Sequence, residues 1–588
     1  MSYDCKIVGG TVVDGTGRPG FRADVGIKDG RIVEVGDCPG TARRTIDAEG
    51  SMVTPGFTDI HTHYDGQVSW DEGMAPSSLH GVTTAVMGSC GVGFAPVRDS
   101  DHQRLIDLME GVEDIPGSAL AEGITWGWQT FPEYMDVIDA KPHTIDFAVQ
   151  IPHDALRMFV MGERALPNAP STDDDVAEMK ALVREALEAG AVGFSTGRSD
   201  NHRTAQGQAT PASEATQREL CGIAEAFHGL SHGVLQVVSD FDCLVTNENF
   251  HAEFDMIEAM AKASQGHKTS LSLMQRDQAP EQWRWITERA EKATAAGTPI
   301  HLQVAPRPIG VLLGLEATFH PFIGYPSYKA ISQLPREQRV ARMRDPEFRT
   351  KLLTEKTDRV AGDGSSIPPL ADHLLAQVDM VAKRMYRLGE TPNYEPDPRS
   401  CLYAEAMASG RTTLEMIYDA LLEDEGRALL YFPLYNFTGL NLDVVHEMLT
   451  HPLALPGLSD GGAHVGTICD ASFPTYLMMH WGRDRERGRI PIEKLVKMQA
   501  FDTARYVGFH DRGAIATDQR ADVNVIDFDN LQLGQPRLIG DLPAGGFRLM
   551  QPAHGYQATL VHGEVIAEHG ELTDARPGRL VRAGQLAG

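Results

Sequence analysis

The fold is decided by one short stretch of this chain, which reads Pro55-Gly56-Phe57-Thr58-Asp59-Ile60-His61-Thr62-His63-Tyr64-Asp65. Its apolar run predicts a β-strand, in which successive side chains point to opposite faces. His61 and His63 therefore point to the same side. Two imidazoles on one face of a strand can bind one metal ion, with a zinc–nitrogen distance of about 2.1 Å. The stretch predicts a metal site where a strand ends.

The whole chain has the composition of an ordinary globular protein. Its 588 residues, of which 42% are hydrophobic, suffice for one large domain with a smaller companion. The formal net charge of −28 disfavours nucleic acid and anionic membranes as partners. The 7 cysteines are too few and too scattered for a disulfide framework. With no targeting signal or membrane-spanning run in the sequence, we expect a cytoplasmic protein.

Both ends of the chain are predicted to form short strands separated by glycines. Gly9-Gly10 is expected to separate two strands, and Asp29-Gly30 between two alternating runs predicts a hairpin. Near the carboxyl end, His562-Gly563 divides a further strand-like run in the same way. We therefore expect both ends to build one small β domain outside the main body.

Between the two ends, the pattern changes to strands that are followed by helices. The clearest helix, residues 171–189, is expected to have Ser171 as its N-cap and to end at Gly190. Repeated βα units at this length predict a (β/α)8 barrel. The strand-like runs that support the barrel are 81–88, 191–195, 233–238, 269–273 and 299–304.

Two reactive residues follow later strands, where barrels of this kind carry their active sites. Cys90 follows the second strand. A thiol beside a divalent cation is deprotonated and can bind the cation as a ligand. A lone cysteine is, however, more often simply a small buried residue. Asp460 lies in Ser459-Asp460-Gly461, which alone predicts only a turn. In a barrel that begins with His-x-His, Asp460 is the natural carboxylate to bind metal and transfer protons. His464, close behind, is a candidate substrate contact.

Together these stretches resemble the amidohydrolase superfamily, and within it the N-acyl-D-amino-acid deacylase (D-aminoacylase) branch. Cysteine after the second strand is what points to this branch. The resemblance implies a distorted (β/α)8 TIM barrel over residues 55–504, with an insertion at about 345–425, beside a small β-sandwich domain from residues 1–54 and 505–588. The matching stretches are Pro55–His63, Gly81–Thr84, Cys90-Gly91, Gly193–Gly197, Ser459–Gly461 and Pro577–Arg582.

The same resemblance implies a function, a cofactor and partners. It implies hydrolysis of the amide bond of N-acyl amino acids, of D configuration, by metal-activated hydroxide. His61, His63, Cys90 and Asp460 correspond to metal ligands, and Asp460 also to the general base. The expected partner is this small-molecule substrate, with no nucleic acid and no membrane, and the family likeness favours a homo-oligomer.

Two histidines that this branch carries on its fifth and sixth strands are absent from the chain. The corresponding runs read Leu235-Gln236-Val237-Val238 and Leu271-Ser272-Leu273-Met274. Loss of two strong ligands favours one zinc ion over two, because four ligands of N, S and O type still suit zinc. A weakly bound or absent metal is the remaining alternative.

An acylated amino acid also carries a carboxylate, which an arginine can bind in bidentate fashion. Arg198, Arg276 and Arg307 follow successive strands, and we expect them to contact substrate, although each alone is more often a surface charge or a structural ion pair.

Two other functions stay open. The first is a cyclic-amide hydrolase, which would usually carry a carbamylated lysine in place of Cys90, so Cys90 counts against it. The second is a catalytically lapsed, ligand-binding barrel, which the two absent histidines favour and the retained His61, His63, Cys90 and Asp460 oppose.

Overall fold

A computed structural model describes residues 2–584, apart from 167–168, 242–247, 362–366, 368–370 and 373–374. The strands, numbered in chain order, are β1 (Ser2–Val12), β2 (Phe21–Lys28), β3 (Arg31–Gly36), β4 (Thr41–Asp47), β5 (Met52–Pro55), β6 (Phe57–Asp59), β7 (Val82–Met87), β8 (Asp146–Pro152), β9 (Gly193–Arg198), β10 (Val234–Ser239), β11 (Lys268–Leu273), β12 (Ile300–Val304), β13 (Gly310–Leu313), β14 (Tyr386–Leu388), β15 (Leu429–Pro433), β16 (Ala454–Pro456), β17 (Val523–Ile526), β18 (Gln532–Leu533), β19 (Arg537–Ile539), β20 (Arg548–Met550), β21 (Ala553–His554), β22 (Tyr556–Val561), β23 (Glu564–Glu568) and β24 (Glu571–Leu572).

Helices occupy much of the remaining chain, and none of those described is long and apolar enough to cross a membrane. Two segments, Leu477–Asp484 and Lys497–Asp502, are π-helical. The described α-helices are His102–Glu113, Gly117–Gly123, Phe131–Asp139, His153–Met161, Asp173–Ala189, Gln217–Ala224, Phe250–Ala263, Gln282–Ala295, Pro326–Lys329, Arg336–Arg344, Pro346–Thr354, Val378–Ala382, Leu402–Ser409, Thr413–Leu421, Asp443–Thr450, Phe473–Tyr476, Ile492–Val496 and Thr503–Tyr506.

The centre of the molecule is an eight-stranded parallel sheet with the order β16-β12-β11-β10-β9-β8-β7-β6. Just beyond the ends of β6 and β16, Thr62 and Gly461 form a parallel bridge. The His63 amide donates a hydrogen bond to the Gly461 carbonyl over 2.8 Å. The sheet therefore curls into a TIM-like barrel whose two edges meet at the segments that carry His-x-His and Ser-Asp-Gly. The predicted fold class is confirmed.

The barrel strands are buried because helices cover the outside of the sheet. Every residue of β7 and of β10 is buried, as expected for parallel strands that are covered on both faces. The outer helix Asp173–Ala189 ends at Gly190, with φ +108°, as predicted. Its N-cap is Thr172 rather than the predicted Ser171, because Thr172 forms a reciprocal capping box with Asp175.

A nine-stranded sheet combines strands from both ends of the chain, with β1–β5 beside β17 and β22–β24. The hairpins at Asp29-Gly30 and His562-Gly563 are confirmed, and all four turn residues have positive φ. The prediction that Gly9-Gly10 separates two strands was wrong. β1 runs through both glycines, and the register shifts between Ile7 and Gly10 as in a β-bulge. The domain boundaries at 54/55 and 504/505 stay predictions.

A second apolar core lies in the region of the predicted insertion. Its buried residues run from Leu313 to Phe432. The small antiparallel sheet β13-β15-β14 lies in the same region and contributes residues to it. Residues 362–366, 368–370 and 373–374 of the predicted insertion lie outside the described residues. The apolar residues of this region thus pack largely among themselves, and the limits of about 345–425 stay a prediction.

Candidate active site

Three predicted metal ligands lie together at the carboxyl end of the barrel strands. The ligand atoms of His61, His63 and Cys90 all lie within 4.8 Å of one another, and all three residues are buried. The Asp460 carboxylate faces both imidazoles, because its Oδ1 lies 3.3 Å from His61 Nε2 and 3.7 Å from His63 Nε2. The structure therefore brings the four residues into one cluster.

The backbone around this cluster is held in an unusual conformation. Cys90, Asp460 and His464 have φ values of +56°, +49° and +50°. Residues other than glycine seldom adopt positive φ, and such conformations concentrate at functional sites. The Asp460 amide also donates to the His61 carbonyl over 3.2 Å. Backbone pairing between the first and last segments of the barrel thus fixes the two residues side by side.

Gln303 orients the His61 side chain, and Gln236 holds the backbone of the neighbouring Cys90. Its Nδ1 lies 2.6 Å from Gln303 Oε1, an acceptor, which places the imidazole proton on Nδ1. Gln236 Nε2 lies 3.2 Å from the same nitrogen but cannot donate to it, because Nδ1 carries the proton; Gln236 Oε1 accepts a hydrogen bond from the Cys90 amide over 3.0 Å. The lone pair of His61 then resides on Nε2, which is 3.2 Å from Cys90 Sγ. Metal-binding histidines are commonly held in this way through their other ring nitrogen.

Replacing Gln303 tests this orientation. We expect Gln303→Ala to weaken zinc binding by about 10–100-fold, because His61 loses the acceptor that fixes its tautomer. Competition with a chromophoric chelator measures the affinity. Gln499→Ala is the matched control, since Gln499 is a buried glutamine whose described side chain makes no hydrogen bond to the cluster. Equal zinc affinities for the two variants would show that Gln303 does not support the metal site.

His63 is close to a buried glutamate. Glu113, which ends the helix His102–Glu113, is 1% exposed. Its Oε1 lies 3.3 Å from His63 Nδ1, and its Oε2 lies 3.5 Å from His464 Nε2. Burial, and then the charge of Asp460, raises the pKa of Glu113 well above its usual range. Burial lowers the pKa of His63 to about 4, so its imidazole is neutral, as a metal ligand must be.

The charge of Asp460 suits a proton acceptor. Burial alone would raise the pKa of Asp460, but the hydrogen bond with His63 and the nearby imidazoles of His61 and His464 hold it well below the usual range. Its carboxylate is therefore ionised at neutral pH. An ionised carboxylate at the reacting centre can act as a general base.

The donor atoms of the cluster fit zinc. Burial, followed by the charges of Glu113 and Asp460, raises the pKa of the Cys90 thiol well above its usual range, so a cation is needed to stabilise the thiolate. Within the described residues, His63 Nδ1 and Glu113 Oε2 are buried without a hydrogen-bond partner. Two imidazoles, a thiol and a carboxylate form a ligand set that zinc accepts.

The cluster lies in the wall of a cavity of about 310 Å³. This cavity has the size of a small-molecule site, at the barrel end where such sites are found. Its other described walls come from the ends of neighbouring strands and from the region of the predicted insertion. Among the lining residues are Ser199, Asn201, His202, Val238, Ser239, Asp240, Met274, Phe319, Leu434 and Tyr435.

The four predicted substrate-binding residues lie in two different environments. Arg276 and His464 line the cavity, whereas Arg198 and Arg307 are not among its described lining residues. Arg198 pairs with Glu253, with Nε 2.6 Å from Oε1. Arg307 Nη2 lies 3.0 Å from Asp470 Oδ1, and its guanidinium carbon is 3.6 Å from the centre of the Tyr394 ring. The structure thus places Arg198 and Arg307 in structural ion pairs and only Arg276 and His464 in the cavity.

The sequence analysis missed four further residues of the site. Gln236 and Gln303 lie within β10 and β12. A glutamine inside an otherwise apolar, buried strand is a sequence signal for a residue of the site. His202 follows β9 by four residues, and burial, then the nearby His464 and His63, lowers its pKa to about 3. Glu113 ends an amphipathic helix, and no sequence pattern marks it as part of the site.

Comparison with known proteins places the chain in a family. Residues 44–567 match the model of the amidohydrolase family. The D-aminoacylase of Alcaligenes xylosoxydans xylosoxydans is 36% identical over 196 residues, and the alignment covers 33% of this chain but only 38% of that protein. An uncharacterised protein of Mycobacterium tuberculosis is 26% identical over 639 aligned positions, which cover 100% of this chain and 97% of that protein.

A solved structure extends the likeness to the fold. It is the N-acyl-D-glutamate deacylase of Bordetella bronchiseptica in complex with zinc and a phosphonate inhibitor, with a TM-score of 0.64 and 23% sequence identity. The superposition covers 99% of this chain and 100% of that one. The family match spans most of the sequence and confirms the predicted resemblance. This chain therefore belongs to the amidohydrolase family.

Proposed function

We propose that the protein hydrolyses the amide bond of N-acyl amino acids, of D configuration, at a single zinc ion. The observation that carries the proposal is the cluster itself. The ligand atoms of His61, His63 and Cys90 lie within 4.8 Å of one another, and Asp460 Oδ1 lies 3.3 Å from His61 Nε2. The substrate class is supported by the relatives named D-aminoacylase and N-acyl-D-glutamate deacylase.

One ion is proposed because the fifth and sixth barrel strands offer no strong ligand. Gln236 lies on β10, and Ser270 and Ser272 lie on β11. Amide and hydroxyl oxygens are weak ligands for zinc compared with imidazole or thiolate. The side-chain oxygen of Gln236 already accepts a hydrogen bond from the Cys90 amide. These features favour one ion at the cluster over a pair of ions.

His61, His63, Cys90 and Asp460 would hold the ion, which when bound polarises the amide carbonyl and lowers the pKa of the attacking water. Asp460 accepts a proton from that water molecule while the water oxygen forms the new bond to the carbonyl carbon. When the carbon–nitrogen bond breaks, Asp460 returns the proton to the leaving nitrogen. The products are a carboxylic acid and a free amino acid, and the carboxylate of Asp460 is regenerated.

Arg276 is proposed to bind the carboxylate of the substrate. Its side chain lines the cavity, and the residue is only 3% exposed. Nη1 donates to Gln282 Oε1 over 3.0 Å and Nη2 to the Ser239 carbonyl over 2.7 Å, and no ion pair joins Arg276 to a described carboxylate. These bonds use two of the five N–H donors of a guanidinium group. A buried cation without an anionic partner is costly, so a ligand carboxylate would complete this part of the site.

A reducing compartment such as the cytoplasm is proposed for the protein. Cys90 has to remain a thiol in order to bind zinc, and the cysteines within the described ranges are all free. The homo-oligomer expected from the family likeness stays a prediction.

A substrate panel on the zinc-loaded protein tests the proposed function. The panel contains N-acetyl-D-amino acids, their L enantiomers and a cyclic amide of the hydantoin type, and amine release is measured for each compound. We expect turnover of the D compounds. A protein that binds zinc but turns over none of the compounds would be a ligand-binding barrel, and turnover of the cyclic amide alone would identify the alternative hydrolase.

A further inference from the structure

We infer that the cavity selects N-acyl amino acids with an apolar side chain and rejects those with an acidic one. This inference rests on the proposed function, because it concerns the substrate of the same site. It comes from the charges and the apolar walls of the cavity.

The proposed zinc is balanced by the Cys90 thiolate and the Asp460 carboxylate, which leaves one cation among the described lining residues for a substrate carboxylate. Arg276 is the one lysine or arginine among the described residues that line it. The stretches outside the described ranges contain no lysine or arginine in the sequence, so they add no such cation. Every N-acyl amino acid brings an α-carboxylate, and Arg276 is the partner proposed for it. An acidic side chain would therefore bring a second carboxylate without a cationic partner.

The other described ionisable side chains that line the cavity are acidic groups and histidines, so none of them is a fixed cation for that second carboxylate. Glu110, Glu113, Asp114, Asp240 and Asp460 all line the cavity. Transfer of a carboxylate from water into such surroundings costs free energy that no described ion pair returns. The electrostatics of the cavity thus disfavour a dicarboxylate substrate.

An apolar wall offers the opposite kind of contact. Four residues that line the cavity, Met274, Ile309, Leu458 and Ile468, belong to one apolar cluster that includes the buried Phe473. Phe319 and Leu434, which pack against the second apolar core, extend this wall. Apolar substrate groups gain free energy in proportion to the area that they bury. Because the cluster is packed from behind, the wall is formed before a ligand arrives.

The experiment compares substrate pairs of similar shape. The zinc-loaded protein is given N-acetyl-D-leucine against N-acetyl-D-aspartate, and N-acetyl-D-methionine against N-acetyl-D-glutamate. The α-carboxylate is common to both members of a pair, so the ratio of kcat/KM reports the side chain alone. We expect the apolar member to be preferred by at least about 100-fold, because a difference of one methylene group already gives about 10–200-fold.

A second arm adds the missing cation. Met274 is half-buried in the cavity wall, so a lysine can extend its ammonium group into the cavity from this position. Met274→Lys should move the ratio at least about 10-fold towards N-acetyl-D-glutamate, a change of about 1.4 kcal/mol. Met274→Gln, which is neutral and of similar length, is the matched control and should not favour the acidic substrate.

The possible outcomes separate the two proposals. Turnover with equal or greater kcat/KM for the acidic members would overturn the inferred selectivity and leave the amide hydrolysis standing. If no compound is hydrolysed, the proposed function fails, and the same pairs are compared as ligands by calorimetry. Tighter binding of the apolar members would then still support the inference, whereas equal or tighter binding of the acidic members would overturn it.

Discussion

Asp460→Asn is expected to lower kcat/KM for an N-acyl-D-amino acid by about 10²–10⁴-fold, the range for loss of a positioned general base. The carboxylate lies 3.3 Å from His61 Nε2 and 3.7 Å from His63 Nε2, and these imidazoles hold its pKa well below the usual range. Asparagine keeps the shape of the side chain but cannot accept a proton. The loss should therefore appear in kcat more than in KM.

The control for this variant separates chemistry from folding. Asp136→Asn removes a carboxylate that is 73% exposed and pairs with Arg582 at the surface, so its kinetics should match those of the wild type. The circular dichroism and melting temperature of both variants are recorded alongside. A folded Asp460→Asn protein that keeps the kcat of the wild type would show that another group transfers the proton.

Cys90→Ala is expected to weaken zinc binding by more than about 100-fold. Loss of a residue that only supports a metal ligand costs about 10–100-fold, and Cys90 is itself a proposed ligand. The thiol lies 3.2 Å from His61 Nε2 and belongs to the cluster whose ligand atoms lie within 4.8 Å of one another. Without it, the described cluster keeps two imidazoles and one carboxylate. Zinc content after dialysis measures the loss, and activity should fall in proportion.

Cobalt gives this variant a readout that does not depend on activity. A thiolate bound to Co²⁺ produces a charge-transfer band in the near ultraviolet, which Cys90→Ala should abolish. Cys469→Ala is the matched control, because Cys469 is buried but does not line the cavity. A band that persists in Cys90→Ala and disappears in Cys469→Ala would move the metal site elsewhere.

Much of the barrel could be predicted because its buried strands are short runs rich in β-branched and other apolar residues. The runs around 81–88, 233–238 and 269–273 all proved to be barrel strands. The third barrel strand, β8, was not predicted, because Asp146, Gln150 and Pro152 interrupt its apolar run. The buried Asp146 pairs with Arg512, 2.7 Å away, and with Arg520, 2.9 Å away, and partners so distant in sequence leave no local pattern.

The site was predictable only where a residue type and a strand end coincide. His61, His63, Cys90 and Asp460 were named in this way, and the structure brings them together. The same rule named Arg198 and Arg307, but the partners that engage them, Glu253 and Asp470, come from other elements. Whether an arginine faces a ligand or a carboxylate of its own chain depends on tertiary packing, which strand position does not reveal.

The metal centre itself is the central claim, and zinc K-edge X-ray absorption of the active, zinc-loaded protein tests it most directly. We predict one sulfur neighbour at about 2.3 Å, nitrogen and oxygen neighbours at about 2.0–2.2 Å, and no second zinc. The sulfur signal identifies Cys90, and the absence of a zinc–zinc signal identifies a single ion. A shell of nitrogen and oxygen alone, or a second zinc at about 3.5–4 Å, would contradict the account.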